Sequence, residues 1–429
     1  MMREKGEPGS LKSWRSHLLW MKPGLGVKRW LLLLAFGITL FSLGGASLLR
    51  AFYPLPSYFY YLTLQFIPRT LRVFIFFLTG VGSIAMGLWG LNRSLLEPFL
   101  KNISTPYPDI LYEYRRRGRG PRIVVLGGGH GQATILRGLK PFTANLTAIV
   151  TVADDGGSSG RLRRELGILP PGDFRNCIAA LSNDESLVTR LFHYRFSSNA
   201  GLDGHSFGNL YISAMAGVTG SFESALEQSS HVLAVQGRVL PSTLETVVLA
   251  ADVQLEPGQP PVRVFGESQI PQAGGHIVRT LLEPSNPKAY PGAVKAILNA
   301  DMIVIGPGSL YTSLMPNLLV PEIAEALRAT RAPKVYICNI TTQAGETETF
   351  TAEHHLSALE RHLGPGLFSA VILNLPPEEI APPEGTAWVM PELASRPGLR
   401  LVTELLADSV HPWQHNSEKL GRTVMRLLK

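Results

Sequence analysis

Arg122–Lys140 reads RIVVLGGGHGQATILRGLK. An apolar run, a glycine-rich turn and a segment with helical spacing follow one another, as where a strand feeds a helix through bare backbone. The pattern returns along the chain. LTAIVTVA (Leu146–Ala153) is a second β-rich run. DMIVIGPGS (Asp301–Ser309), KVYICNI (Lys334–Ile340) and FSAVILN (Phe368–Asn374) alternate with the helical segments PGAVKAILNA, PEIAEALRAT and EHHLSALERH. Buried strands that alternate with helices leave few arrangements open. The expected fold is α/β, a doubly wound, mostly parallel sheet. Residues 231–283 differ: their short β-like runs, broken by turns, predict an antiparallel insertion or a mixed edge.

Two uncharged apolar segments, Trp30–Leu49 and Val73–Leu91, precede this region. Each has about the 20 residues that cross a bilayer. A cleaved signal peptide fits the first poorly, because its leader is long and a second span follows. Residues 1–122 carry 17 Lys/Arg and 5 Asp/Glu, a net of +12, whereas the remainder is net −5. Basic residues flank both spans, and the connection holds only Arg50, Arg69 and Arg72, so both ends are expected in the cytoplasm. The expected organisation is a basic leader (1–29), a transmembrane hairpin with its connection (30–91), a basic juxtamembrane linker (92–121) and a folded domain (122–429). The protein is thus expected to be a multi-pass plasma-membrane protein that meets lipid through 30–91. Its folded domain is mildly acidic, which argues against nucleic acid as a partner. Two cysteines, Cys177 and Cys338, are too few for a four-ligand zinc site.

The glycine turn Gly127–Gly131 sits where bare backbone and a helix N-terminus can receive a diphosphate. Gly127 and Gly129 match the first two glycines of a dinucleotide fingerprint, but the third position is Gln132. The second strand leads into TVADDGGSSGRLRRELGILPPGDFRN (Thr151–Asn176). Asp154 and Asp155 suit a magnesium ion or a ribose hydroxyl. Gly156, Gly157, Ser158, Ser159 and Gly160 suit a second anion-accepting turn, with Arg161 and Arg175 to neutralise phosphate. The plainer alternative is a capped surface turn with its arginines paired to Glu165 and Asp173. Asp173 and Asn176 lie in a rigid Pro-Pro-Gly turn that feeds a helix, with Asp173 as its N-cap candidate. In GHSFGN (Gly204–Asn209), Ser206 can cap a helix, and His205 and Asn209 share one helical face that suits a polar ligand. A Ser-His-Asp hydrolase fits less well, since no GxSxG elbow joins a strand to a helix. Gly306, Gly308, Ser309, Thr312 and Ser313 form a second glycine-rich mouth after a strand, and NITTQAGET (Asn339–Thr347) a third. Carboxylate, bare backbone and arginine together fit a phosphate-rich ligand that carries a sugar hydroxyl or a divalent metal.

Six motifs in order, RIVVLGGGHGQATILRGLK, TAIVTVADDGGSSGRLRRELGILPPGDFRNC, GHSFGNLYISAM, RVLPST, GPGSLYTSLMPNLLV and KVYICNITTQAGET, resemble the YvcK group of gluconeogenesis factors in the CofD-like superfamily. The resemblance runs from about Arg122 to Asn374 and weakens after Leu375. The hairpin at 30–91 is similar to that of membrane-attached members. The resemblance implies a Rossmann-like fold of the CofD type. CofD proteins use magnesium to transfer phospholactyl-type groups from a guanosine diphosphate donor. The YvcK group is associated instead with UDP-sugar binding, cell shape and wall synthesis on gluconeogenic carbon. Carried over are Gly127, Gly128 and Gly129 at the phosphate turn, Asp154 and Asp155 at the acidic turn that holds metal in the transferases, and Ser309 and Thr312. Relatives more often read GGGTG followed by Leu in the first turn, so His130 and Gln132 depart from the pattern. The expected ligand is a UDP-sugar or related nucleotide-diphospho compound. A regulatory binder and a magnesium-dependent transferase both remain open, and a homo-oligomer is compatible with either.

Overall fold

The computed structural model describes residues 115–429 apart from 184, 198–200, 378, 379 and 429, with isolated positions before them. The chain divides into two compact units, Met1–Arg116 and Arg117–Lys429. In the first, the leader 1–29, the spans 30–49 and 73–91 and the linker to 111 lie, isolated positions aside, outside the described residues. Among the described residues no helix is long and apolar enough to cross a membrane. The second unit starts earlier than the expected Arg122. Arg117 already donates to Gln236 Oε1 at 2.8 Å, and its carbonyl accepts from the Ala144 amide at 2.9 Å.

The strands of this unit are β1 (Ile123–Gly127), β2 (Leu146–Val150), β3 (Arg238–Pro241), β4 (Val248–Gln254), β5 (Val262–Phe265), β6 (His276–Glu283), β7 (Met302–Ile305), β8 (Lys334–Ile337), β9 (Ala370–Asn374) and β10 (Arg400–Glu404). Its helices are α1 (Gly129–Leu139), α2 (Gly157–Leu166), α3 (Gly172–Leu181), α4 (Glu185–His193), α5 (Phe207–Thr219), α6 (Phe222–Val232), α7 (Pro291–Leu298), α8 (Met315–Leu318), α9 (Pro321–Ala329), α10 (Ala352–Leu363) and α11 (Ser417–Arg426). A π-helical turn, Leu310–Leu314, runs into α8.

Seven strands form one sheet in the order β10-β9-β8-β7-β1-β2-β3, and every neighbouring pair is parallel. β1, β7, β8 and β9 are buried at every residue, which is why they read as apolar runs apart from Lys334 at the start of β8 and Asn374 at the end of β9: both faces of the sheet are covered. From β1 the chain first builds outward through β2 to β3, then returns to β7 on the other side and proceeds to β10. The strand order therefore reverses between β1 and β7, the position where open α/β sheets leave a crevice at their carboxyl ends.

The stretch at 231–283 splits differently from expectation. Val239 pairs in parallel with Ala148, so β3 is an edge of the main sheet, and the end of α6 precedes it. Pro241 lacks an amide hydrogen, which an edge strand tolerates. Only β5-β4-β6 make the separate antiparallel sheet. Within it, Asp252 accepts from Arg263 at 2.8 Å and from Arg279 at 2.7 Å.

Candidate functional site

β1 ends at Gly127, whose carbonyl accepts from the Thr151 amide at 3.2 Å and from Asn317 Nδ2 at 2.9 Å. That carbonyl is thereby satisfied behind the turn. Gly128 is extended, and α1 begins at Gly129 with no side-chain cap and no acidic residue in its first turn. The Gly129 amide meets the Asp173 carboxyl, and the N–H groups that follow it in the first turn have no side-chain cap, so they suit an anion. Gly129 has φ of 64°, and a Cβ there would meet nothing within 4 Å, so this position faces open space.

The turn after β7 lies directly opposite. A Cβ at Gly131 would run into the Pro307 carbonyl, so glycine is what lets the two turns touch. The Asn339 side chain braces this second turn: its Oδ1 accepts from the Gly308 amide at 3.1 Å, and its Nδ2 donates to the Gly308 carbonyl at 3.0 Å. Gln343 Nε2 donates to Ser309 Oγ at 2.7 Å. The mouths after β1, β7 and β8 thus meet in one cleft of about 350 Å³. Gly128, Gly129, Gly131, Gly308 and Ser309 line it; Gly127 and Gly306 do not.

The acidic turn stands on the far side of Gly128. A Cβ on Gly128 would lie 2.5 Å from Asp173 Oδ2. Burial, with the charge of Asp154 beside it, pushes the Asp173 carboxyl up to about 7, although the Gly129 amide and Arg175 favour its anion. Glu267, in the loop between β5 and β6, is pushed up to about 10 by burial and by Asp154, Asp173 and Asp155, and it bonds Asp154. Asp154 also accepts from the Gly156 amide at 2.9 Å, and Asp155 from the Ser268 amide at 2.9 Å. Protons and amides satisfy this cluster as arranged. Among the described residues no three His, Cys, Asp or Glu side chains are placed to hold a metal ion; Asp154 and Asp155 offer two carboxylates, the number that suits magnesium only together with phosphate oxygens of a ligand.

Several predicted ligand groups are used internally. Gly156 caps α2 and Gly157 opens it, and a Cβ on Gly160 would strike the Asp155 carbonyl, so this stretch is a packed helix start and lines no part of the cleft. Ser158 Oγ and His205 Nδ1 lie 3.0 Å apart, and Asn209 Nδ2 donates to Ser158 at 3.1 Å and to Ser159 at 3.3 Å. Ser206 caps α5 and also accepts from Arg175 at 2.7 Å, while Arg175 reaches Asn176 Oδ1 at 3.0 Å. His205, Ser206 and Asn209 therefore bind the start of α2 to α3 and do not face the cleft. Arg161 donates to the Asp203 carbonyl at 2.8 Å, and Thr312 donates to the buried Glu346 at 2.9 Å. Among the described residues no arginine or lysine lines the cleft; bare backbone is what it presents to an anion.

Residues 123–387 match the family of 2-phospho-L-lactate transferase CofD. The chain belongs to the CofD family. Within that family it groups with the gluconeogenesis factors. A Nostoc sp. relative of that group is 44% identical over 426 residues, 95% of this chain and 91% of the relative. The gluconeogenesis factor of Bacillus subtilis is 51% identical over 257 residues, 60% of this chain and 80% of its own length. The crystal structure of a Bacillus halodurans protein, 42% identical, covers 72% of this chain and 99% of that one with a TM-score of 0.65.

Two parts of this CofD-family site escape the motif reading. Glu267 lies far downstream of the acidic turn, in the insertion, and nothing local marks it. Trp413, Gln414 and His415 come from the segment after Leu375, where the motifs fade, yet they line the cleft. HPWQHN (His411–Asn416) is a compact aromatic and polar cluster in the sequence, the one signal that could have found them.

Proposed function

We propose that this CofD-family chain binds a nucleotide-diphospho-sugar of the UDP-sugar type, with the diphosphate on the paired glycine turns. The carrying observation is the contact between the turns after β1 and β7 at the reversal of strand order, which leaves the amides of α1 that follow Gly129 without a side-chain cap at a cleft that, among the described residues, has no acidic side chain in its lining. Backbone N–H groups and a helix N-terminus suit a diphosphate whose charge must be met without a lysine or arginine. The matched relatives are named gluconeogenesis factors, which supports a role in carbon metabolism during gluconeogenic growth; the role we assign is regulatory, with wall synthesis and cell shape as its outputs. The protein acts from the membrane, anchored by 30–91 with the folded unit in the cytoplasm.

Calorimetric titration of UDP-glucose and UDP-N-acetylglucosamine into the full-length protein tests this reading. Wild type is expected to bind, and Gly129→Val to bind at least tenfold more weakly, because its branched side chain enters the cleft. Gly129→Ala carries left-handed strain of about 1–2 kcal/mol with less bulk, β-branched Val carries more, and melting curves of both variants read this strain apart from blockage of the cleft. Normal affinity in folded Gly129→Val makes the turn purely structural. The same titrations are run with magnesium and with chelator; magnesium-dependent consumption of the donor replaces the binder with the transferase reading.

A further inference from the structure

The cleft has two unlike ends. Beyond Gly128 stand the carboxyl groups of Asp173, Asp154 and Glu267. At the opposite rim stand Trp413, Gln414 and His415 with Asn339 and Gln343. The Trp413 indole is 43% exposed and stacks on His411 with centroids 5.5 Å apart and planes 6° from parallel. His415 Nε2 is covered and has no hydrogen-bond partner. We propose that Trp413 is the stacking platform for the nucleobase, with His415 Nε2 as a polar contact to the nucleoside, so that the hydroxyl-rich group points to the carboxyl end.

This rests on the nucleotide-diphosphate reading and adds a direction to it. A base offers a flat π-face and edge donors and acceptors, which an indole and side-chain amides match. A sugar offers hydroxyl donors, which carboxyl oxygens accept. His415 suits a neutral role, because burial holds its imidazole down to about 4 against the opposing influence of the Cys338 backbone.

The rim is built in advance. Asp408 Oδ1 accepts from the Val410 amide at 2.9 Å and from the His411 amide at 3.2 Å, and its Oδ2 accepts from Asn416 Nδ2 at 3.0 Å. Asn416 in turn caps α11 through the Lys419 amide. A loop tied at both ends loses little freedom when a ligand settles on it.

The experiment compares UDP, glucose 1-phosphate and inorganic pyrophosphate as probes on full-length wild type, Trp413→Ala and Trp413→Phe, with melting curves to verify folding. Wild type is expected to bind UDP more tightly than pyrophosphate. Trp413→Ala is expected to weaken UDP by about tenfold to a hundredfold and to leave pyrophosphate and glucose 1-phosphate unchanged. Trp413→Phe keeps most of the UDP affinity. Unchanged UDP affinity in Trp413→Ala overturns the platform while the diphosphate cleft stands. Equal loss for UDP and pyrophosphate assigns Trp413 a structural role and also overturns it, and selective loss of glucose 1-phosphate reverses the proposed direction. If wild type binds none of the probes, the nucleotide reading falls, and this inference with it.

Discussion

Asp173 shows how much one side chain at this site depends on what surrounds it. In sequence it is an N-cap candidate; in the fold it sits against Gly128, receives the Gly129 amide and faces the charge of Asp154. The unfolded chain releases its proton near 3.8 and the folded chain near 7, so in between the folded state holds the extra proton. The associated stability is whole below about 3.8 and is lost as pH rises to about 7. Glu267 extends the same trend toward 10. The melting temperature of wild type is therefore expected to fall by several degrees from pH 5 to pH 8. Asp173→Asn keeps an acceptor for the Gly129 amide but cannot ionise. It should make the decline below pH 7 shallower and leave the part that Glu267 contributes from about 4.5 upward. A wild-type profile that is level from pH 5 to pH 8 contradicts this account of the cluster. Gln132 offers a contrasting residue. Where a fingerprint would carry glycine, its Nε2 donates to the Val125 and Ile149 carbonyls at 2.9 Å each, tying β1 to β2 beneath the turn.

Among the elements, α1 and α11 decide whether the cleft has its rim. A Cβ on Gly421 would strike the Gly138 carbonyl, and one on Gly138 would strike the Ser417 carbonyl, so the two helices meet backbone to backbone. Glycine ordinarily costs a helix about 1 kcal/mol relative to alanine; here it permits a contact that no larger residue allows. Leu420 and Val424 are fully buried on the same face of α11. That helix carries the 408–416 loop, and α1 carries the first glycine turn, so one contact sets the distance across the cleft. Gly421→Val is expected to destabilise the protein by about 1–3 kcal/mol through overpacking and to weaken UDP binding in the folded fraction. Denaturant titration and calorimetry read the two effects separately. Full stability with normal binding would show that α11 does not position the rim. A cap such as Ser206 behaves differently: its capping role is legible from its position before an apolar helix, but its second bond, from Arg175, is not.

For the whole molecule, membrane attachment is an expectation of the first 116 residues and nucleotide binding of the remainder. Alignment of the Nostoc relative over 95% of this chain means that most of the N-terminal part is shared with it. The full-length protein is expected in the membrane fraction after carbonate extraction, and protease added to right-side-out cells should leave 117–429 intact. Extraction by carbonate, or cleavage of the folded unit without lysis, removes the hairpin topology. The parallel α/β fold was legible because burial on both faces makes β1 and β7 apolar throughout and β8 and β9 apolar but for Lys334 and Asn374 at their ends, a local pattern that needs no partner to be read. The glycine turns were legible for a like reason: their position after a strand already states where bare backbone opens on the cleft. What tertiary structure alone decided is which polar groups remain open to that cleft. His205, Asn209, Arg161 and Thr312 satisfy one another's neighbours instead of the cleft, since a polar group shut away from water must find a partner within the fold. Glu267 and Trp413 reach the site from far along the chain. Sequence alone does not say which distant loop closes on a cleft, because that is set by the packing of whole elements, as where α11 meets α1 through two glycines.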